Sequence, residues 1–150
     1  MSINTRFSVG IHILAFLEIN TGSSTSSENI AKSVNTNPAV IRKIMGMLKK
    51  ADLIHVRPGI AGASLTRSIS EITLFDICEA VNTEKDRELF NMHKNPDPDC
   101  NVGKYIEDTL EPIFGTAQRA LEKTLQNVTI ADIINDISNQ QDQPVAISKM

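Results

Sequence analysis

Between residues 102 and 128, apolar side chains return every three or four positions, at Val102, Ile106, Leu110, Ile113, Ala117, Leu121, Leu125 and Val128. That period is helical, and it persists for about seven turns. A helix of about 24 residues extends roughly 36 Å, more than a single core made from a chain of 150 residues can cover. Part of its apolar face must therefore meet something outside its own globule, and a second copy of the chain is the simplest partner. Ile106, Leu110, Ile113, Ala117, Leu121 and Leu125 are the candidate dimer interface. Pro112 deletes one backbone bond within this run and predicts a kink or a restart.

The first half of the chain has shorter periods. Residues 6–20 place Phe7, Ile11, Leu14 and Leu17 at helical spacing, with Val9, Ile13 and Phe16 widening the apolar face; this predicts a largely buried helix in which His12 is a packing residue. The polar linker TGSSTSS follows, and Ser27 ahead of ENIAKSV reads as the N-cap of a helix over about 27–34. Asn37 and Pro38 then read as N-cap and first helical residue, because proline's missing donor costs nothing in a first turn. Beyond them Ile41, Ile44, Leu48 and Ala51 form a buried stripe, leaving Ala39, Arg42, Lys43, Gly46, Lys49 and Lys50 on a cationic face. Two short helices joined by the turn NTN, the second one basic, predict a helix-turn-helix.

Leu53, His55 and Arg57 alternate with Ile54 and Val56, the chain turns through PGIAG, and ASLTR returns, which predicts a β-hairpin over 53–67. Together these elements form a winged helix-turn-helix with Arg57 near the wing tip. Thr73 and Asp76 form an approximate capping box for a further helix buried through Leu74, Ile77 and Val81. Residues 83–101 lose periodicity and read as a mobile connection. Thr129 caps a last short helix over 127–137, and the polar residues after it read as a disordered tail.

Charge supports a polyanion partner for the first half. The net charge is −3, yet residues 1–67 carry eight Lys/Arg against three Asp/Glu, a balance of +5, and residues 68–150 carry seven against fifteen, a balance of −8. Cys78 and Cys100, separated by 21 residues, form neither a disulfide framework nor a CxxC pair. The absence of a long apolar run or a secretory leader predicts a cytoplasmic protein without membrane association. No Ser/His/Asp arrangement, phosphate-binding loop or pair of catalytic carboxylates stands out, so an enzyme is not expected.

ENIAKSVNTNPAVIRKIMGMLKKADLIHV, PGIAGASL, ITLFDICEAV, CNVG and VTIADII occur in this order along almost the whole chain. Their order and spacing resemble the bacterial Rrf-type transcriptional regulators, the family of the iron-sulfur cluster regulator IscR, the nitric-oxide-sensitive repressor NsrR and the cysteine-metabolism repressor CymR. The resemblance implies a mainly α fold: a winged helix-turn-helix over residues 1–82 with a small β-hairpin wing, a connecting sensory loop at 83–101, dimerisation helices at 102–138 and a tail at 139–150. It implies a homodimer that binds a double-stranded DNA operator, as a repressor. Asn37, Ala39, Val40, Arg42 and Lys43 would face the major groove, Arg57, Gly59 and Gly62 would form the wing contacts, and Arg6, Lys49 and Lys50 would meet phosphates. Cluster-binding members carry three cysteines in the loop, of which only Cys100 is matched, and Gly103 stands where some have a further ligand. No iron-sulfur cluster or other metal cofactor is therefore expected; Cys100 is either a candidate redox sensor, responding to an oxidant, or an inert cysteine packing the loop, and a pocket for a small effector is a third reading. Asp52 replaces a glycine at the end of the recognition helix, Pro58 a wing arginine and Ala63 a wing glycine. The competing reading is a protein-interaction adaptor that uses the winged helix as a scaffold and its acidic half as the binding surface.

Overall fold

Four of the described helices begin at residues whose side chains satisfy a free N–H group of the first turn. The computed structural model describes residues 3–21, 24–56, 62–83 and 88–142. Helix α1 is Ile3–Ile19, α2 Ser27–Val34, α3 Pro38–Lys50, α4 Leu74–Val81, α5 Asn101–Gln126 and α6 Ile130–Asp142. Strands β1 (Ile54–His55) and β2 (Ser64–Leu65) pair antiparallel, and a 3-10 turn, Ile69–Glu71, precedes α4. Thr73 and Asp76 form a reciprocal capping box at α4, and Thr129 and Asp132 form the same pair of bonds ahead of α6. At α2 the cap is Ser26 rather than the expected Ser27: Ser26 is extended and its Oγ accepts from the Asn29 N–H at 3.2 Å, so Ser27 is already helical.

The core is one cluster. Ile13 and Leu14 of α1, Ile30 of α2, Ile41, Ile44 and Leu48 of α3, Leu53 and Ile54 at the foot of the hairpin, Ile72, Ile77 and Val81 around α4, and Ile130 of α6 are almost completely buried. Two sequence expectations change here. Ala51 is exposed because it caps α3 instead of continuing its stripe. Leu53 and Ile54 are both buried while Val56 is 41% exposed, so the alternation fails. The reason is that Leu53 still belongs to the helix exit, its N–H bonded to the Leu48 carbonyl at 3.0 Å, and the ladder begins only at Ile54.

Helix α6 also lies elsewhere than a division at residue 102 implies. It returns to the first body and packs on α1 and the 3-10 turn; Ile130 is fully buried there, its N–H bonded to the Ile72 carbonyl at 2.9 Å. A single bridge, Thr73 with Thr129, ties the two caps together. The helix runs to Asp142, so the expected tail boundary at 139 falls inside it. Helix α5 differs from all the others: it passes through Pro112 as a single element and has no buried residue.

Candidate nucleic-acid interface

The two helices of the helix-turn-helix are joined by Asn35 in the left-handed conformation (φ 67°) at the end of α2, and Asn37 starts α3 by accepting the Val40 N–H on Oδ1 at 3.0 Å. Asn37 is exposed; one lone pair of its oxygen is committed to the cap, which leaves its amide nitrogen and the second lone pair for an outside partner. Burial of Ile41, Ile44 and Leu48 fixes the rotation of α3, so Ala39, Val40, Arg42, Lys43, Lys49 and Lys50 are all exposed. The sequence-predicted major-groove residues and the two lysines thus share one helix whose opposite side is core. Arg42 lies 3.8 Å from Glu28 of α2. Both side chains are more than half exposed, so this pair is weakly held and readily exchanged for another anion. The sequence reading missed Glu28 as a partner of Arg42, because the contact arises from the packing of α2 on α3.

The end of α3 and the hairpin are bound to each other. Asp52 adopts a left-handed φ of 60°, the conformation for which a glycine is usual. The Asp52 carbonyl accepts the Thr66 hydroxyl at 2.6 Å, and the Leu53 carbonyl accepts the Thr66 N–H at 3.1 Å. Across the strands, His55 Nε2 and Ser64 Oγ are 3.0 Å apart. The predicted wing contacts Arg57 and Gly59 lie outside the described residues. Gly62 lies inside them, at φ 100°, where a Cβ would run into the Thr25 hydroxyl of the buried Thr25. Close packing against the segment before α2 is thus a structural requirement for glycine at this position.

Two arginines of the basic half are engaged within the fold. Arg6 donates from Nε to the Val81 carbonyl at 2.9 Å, which pins α1 to the last turn of α4. It is half-buried. Arg67 pairs with Asp76 at 3.7 Å and donates to the Glu71 carbonyl at 3.3 Å. His12 is half-buried, with Nε2 2.9 Å from Ser33 Oγ, and burial lowers its pKa.

The two thiols have opposite surroundings. Cys78 is buried in α4, where desolvation first, partly offset by the Asn82 amide 3.1 Å from its sulfur, raises its pKa. Cys100 is exposed at the N-cap of α5; its sulfur makes no capping bond of ordinary geometry, yet the N–H groups of Gly103 and Val102 face it and lower its pKa. Gly103 has a steric role, since a Cβ there would meet the Asp97 backbone. Among the described residues no three His, Cys, Asp or Glu side chains converge as metal ligands. With one thiol in the loop and the other buried in α4, the donor set does not suit an iron-sulfur cluster, which takes three or four ligands.

The connecting segment is more ordered than its lack of periodicity predicts. Within residues 88–100, the Leu89 N–H donates to Gln118 of α5 at 3.1 Å and Phe90 stacks on Phe114 with centroids 5.2 Å apart. Of the predicted interface residues, Ile113 is 58% exposed and Ile106, Leu110, Ala117, Leu121 and Leu125 are half-buried, which leaves the stripe only partly covered by its own chain. No described helix is long and apolar enough to cross a membrane.

Residues 3–136 match the model of the Rrf2 family, described as an iron-dependent transcriptional regulator. The "Putative HTH-type transcriptional regulator YwnA" of Bacillus subtilis (strain 168) is 44% identical over 135 residues, spanning 90% of this chain and 98% of that protein. A crystal structure of a "putative DNA binding protein" is 40% identical with a TM-score of 0.71, covering 86% of this chain and 98% of the other. The T. potens IscR shares the fold at 16% identity, with a TM-score of 0.69 over 100% of this chain and 97% of its own. These relatives are regulators rather than enzymes. With a winged helix-turn-helix, an exposed basic α3 and a family match spanning nearly its whole length, the chain belongs to the Rrf2 family of transcriptional regulators.

Proposed function

We propose that the protein is a homodimeric, sequence-specific repressor that reads a near-palindromic operator with α3 of each copy. The observation that carries this reading is the one-sided α3: Ile41, Ile44 and Leu48 are buried beneath an exposed face bearing Arg42, Lys43, Lys49 and Lys50. Two such helices, one per copy, would enter major grooves about one helical turn apart. Arg42 is the base-reading residue, a guanidinium able to take guanine O6 and N7 together, and Lys49 and Lys50 serve the phosphates. The pair with Glu28 orients Arg42 in the free protein and yields to the base. The second copy is supported by α5, whose apolar stripe has no buried residue in its own chain.

Arg42→Ala should lower operator affinity by about 1–3 kcal/mol and flatten discrimination against mismatched sites, as measured by gel-shift titration. Thermal stability should hardly move, because the residue is exposed and its one ion pair is weak. Undiminished operator affinity in this variant would remove the assignment. DNA affinity that does not fall with added salt would instead favour the adaptor reading.

In this proposal no iron-sulfur cluster takes part, and the signal acts at Cys100. Its thiolate attacks a peroxide oxygen, the O–O bond breaks, hydroxide leaves, and the sulfur, oxidised by two electrons, becomes a sulfenic acid. Exposure and the lowered pKa of Cys100 support this step. A Cys100→Ser protein that loses operator binding on peroxide treatment as readily as the parent would exclude it.

A further inference from the structure

A cavity of about 360 Å³ opens between residues 88–92 and the middle of α5. Its apolar lining consists of Phe90, Met92 and Phe114, the two rings stacked with planes 25° apart. Three carboxylates, Glu88, Glu107 and Glu111, line it as well. None of the three is paired with a cation among the described residues. Glu107 and Glu111 are also one helical turn apart on the same side of α5, an arrangement of like charges that costs a helix stability unless a cation lies between them.

Glu107, Glu111, Phe114 and Gln118 follow one another at helical spacing and so share a stripe of α5. This stripe is displaced by one residue, about 100° around the axis, from Ile106, Leu110, Ile113 and Ala117. The cavity therefore stands beside the proposed dimer face and not on it. Its far wall is held in place by the Leu89 N–H bond to Gln118. The volume lies toward the small end of the range for pockets that enclose small organic molecules.

Carboxylates without a cation partner among the described residues, set beside aromatic faces and a thioether, repel anions and attract a cation that also has apolar surface to bury. We propose that this cavity binds an organic cation with an aromatic or apolar body. The site is tested on the full-length protein without DNA, so its failure is separate from failure of the operator reading. Benzyltrimethylammonium is titrated while the NMR signals of Phe90, Met92 and Phe114 are followed, with benzyl methyl sulfone as neutral probe and phenylmethanesulfonate as anion. The cation should shift those signals saturably, the neutral probe should bind about tenfold more weakly and the anion should not bind. E107Q/E111Q, which keeps shape and removes charge, should weaken the cation about tenfold, while the melting temperature is kept or slightly raised by loss of the like-charge repulsion. Phe90→Leu should weaken it as well. The proposal is overturned by equal binding of the three probes, by the absence of a saturable shift with the cation, or by cation binding that both variants leave intact.

Discussion

Helices α1 and α5 are both long and both carry apolar side chains at helical spacing, yet they meet opposite fates. Ile13, Leu14 and Leu17 of α1 are buried within the chain, whereas α5 has no buried residue and leaves Val102, Tyr105 and Ile113 more than half exposed. The difference lies in what surrounds each helix. Helix α1 is covered by α2, α3, α4 and α6, while α5 packs chiefly on α4 and the connecting segment. The same apolar period thus stabilises the fold in one case and, on our proposal, creates an assembly surface in the other.

Truncation in the covered region should produce the largest change. Leu48→Ala empties a fully buried site where α3 meets α1 and α4, and should cost about 2–5 kcal/mol of unfolding free energy in urea titrations. Ile113→Asp places a charge on the exposed stripe of α5. Sedimentation should show dimer dissociation strengthened on the order of 10- to 100-fold while the helical circular dichroism of the chain is kept. An unaltered dimer would contradict the contrast between the two helices, and an unfolded chain would show that α5 contributes to the fold of a single copy.

Smaller effects refine the boundary between the regions. Asp52→Gly relieves a left-handed backbone at the exit of α3 without touching the carbonyl that holds Thr66; it should raise stability by up to about 1 kcal/mol in thermal melts, since the relief exceeds glycine's added entropy in the unfolded chain. The thiols give the smallest change, one of rate alone. Because the thiolate forms as pH rises through the pKa, the lowered pKa of Cys100 moves iodoacetamide alkylation to lower pH than for free cysteine. The buried Cys78, with its raised pKa, should stay unmodified until the protein unfolds. Mass spectrometry of the two peptides across a pH series reads both; equal rates would show that the first turn of α5 does not activate its cap residue.

Much of the α3 face was legible because its signals are local. Asn37-Pro38 defines the start of α3, and Ile41, Ile44 and Leu48 fix its rotation, so the exposure of Arg42 and Lys43 follows from spacing alone. The Thr73–Asp76 box was legible for the same reason. What could not be read depends on residues far apart in the chain: the pairing of Arg42 with Glu28, the engagement of Arg6 by the Val81 carbonyl, and the return of α6 to the first core. Residues 88–92 had no period to read, because their order comes from Phe114 and Gln118, more than twenty positions later.

By itself the sequence determined the starts of α3 and α4, the stripe of Ile41, Ile44 and Leu48, the concentration of positive charge in the first half, and the shortage of thiols for a cluster. Capping bonds and helical periodicity act over three or four residues, so they are encoded where they operate. Only the tertiary structure decided that Arg42 meets Glu28, why Gly62 and Gly103 cannot carry a side chain, and that Glu88 joins Glu107 and Glu111 around an aromatic cavity. Those are consequences of packing: they depend on which distant surfaces meet, and a linear pattern of residue types does not specify that meeting.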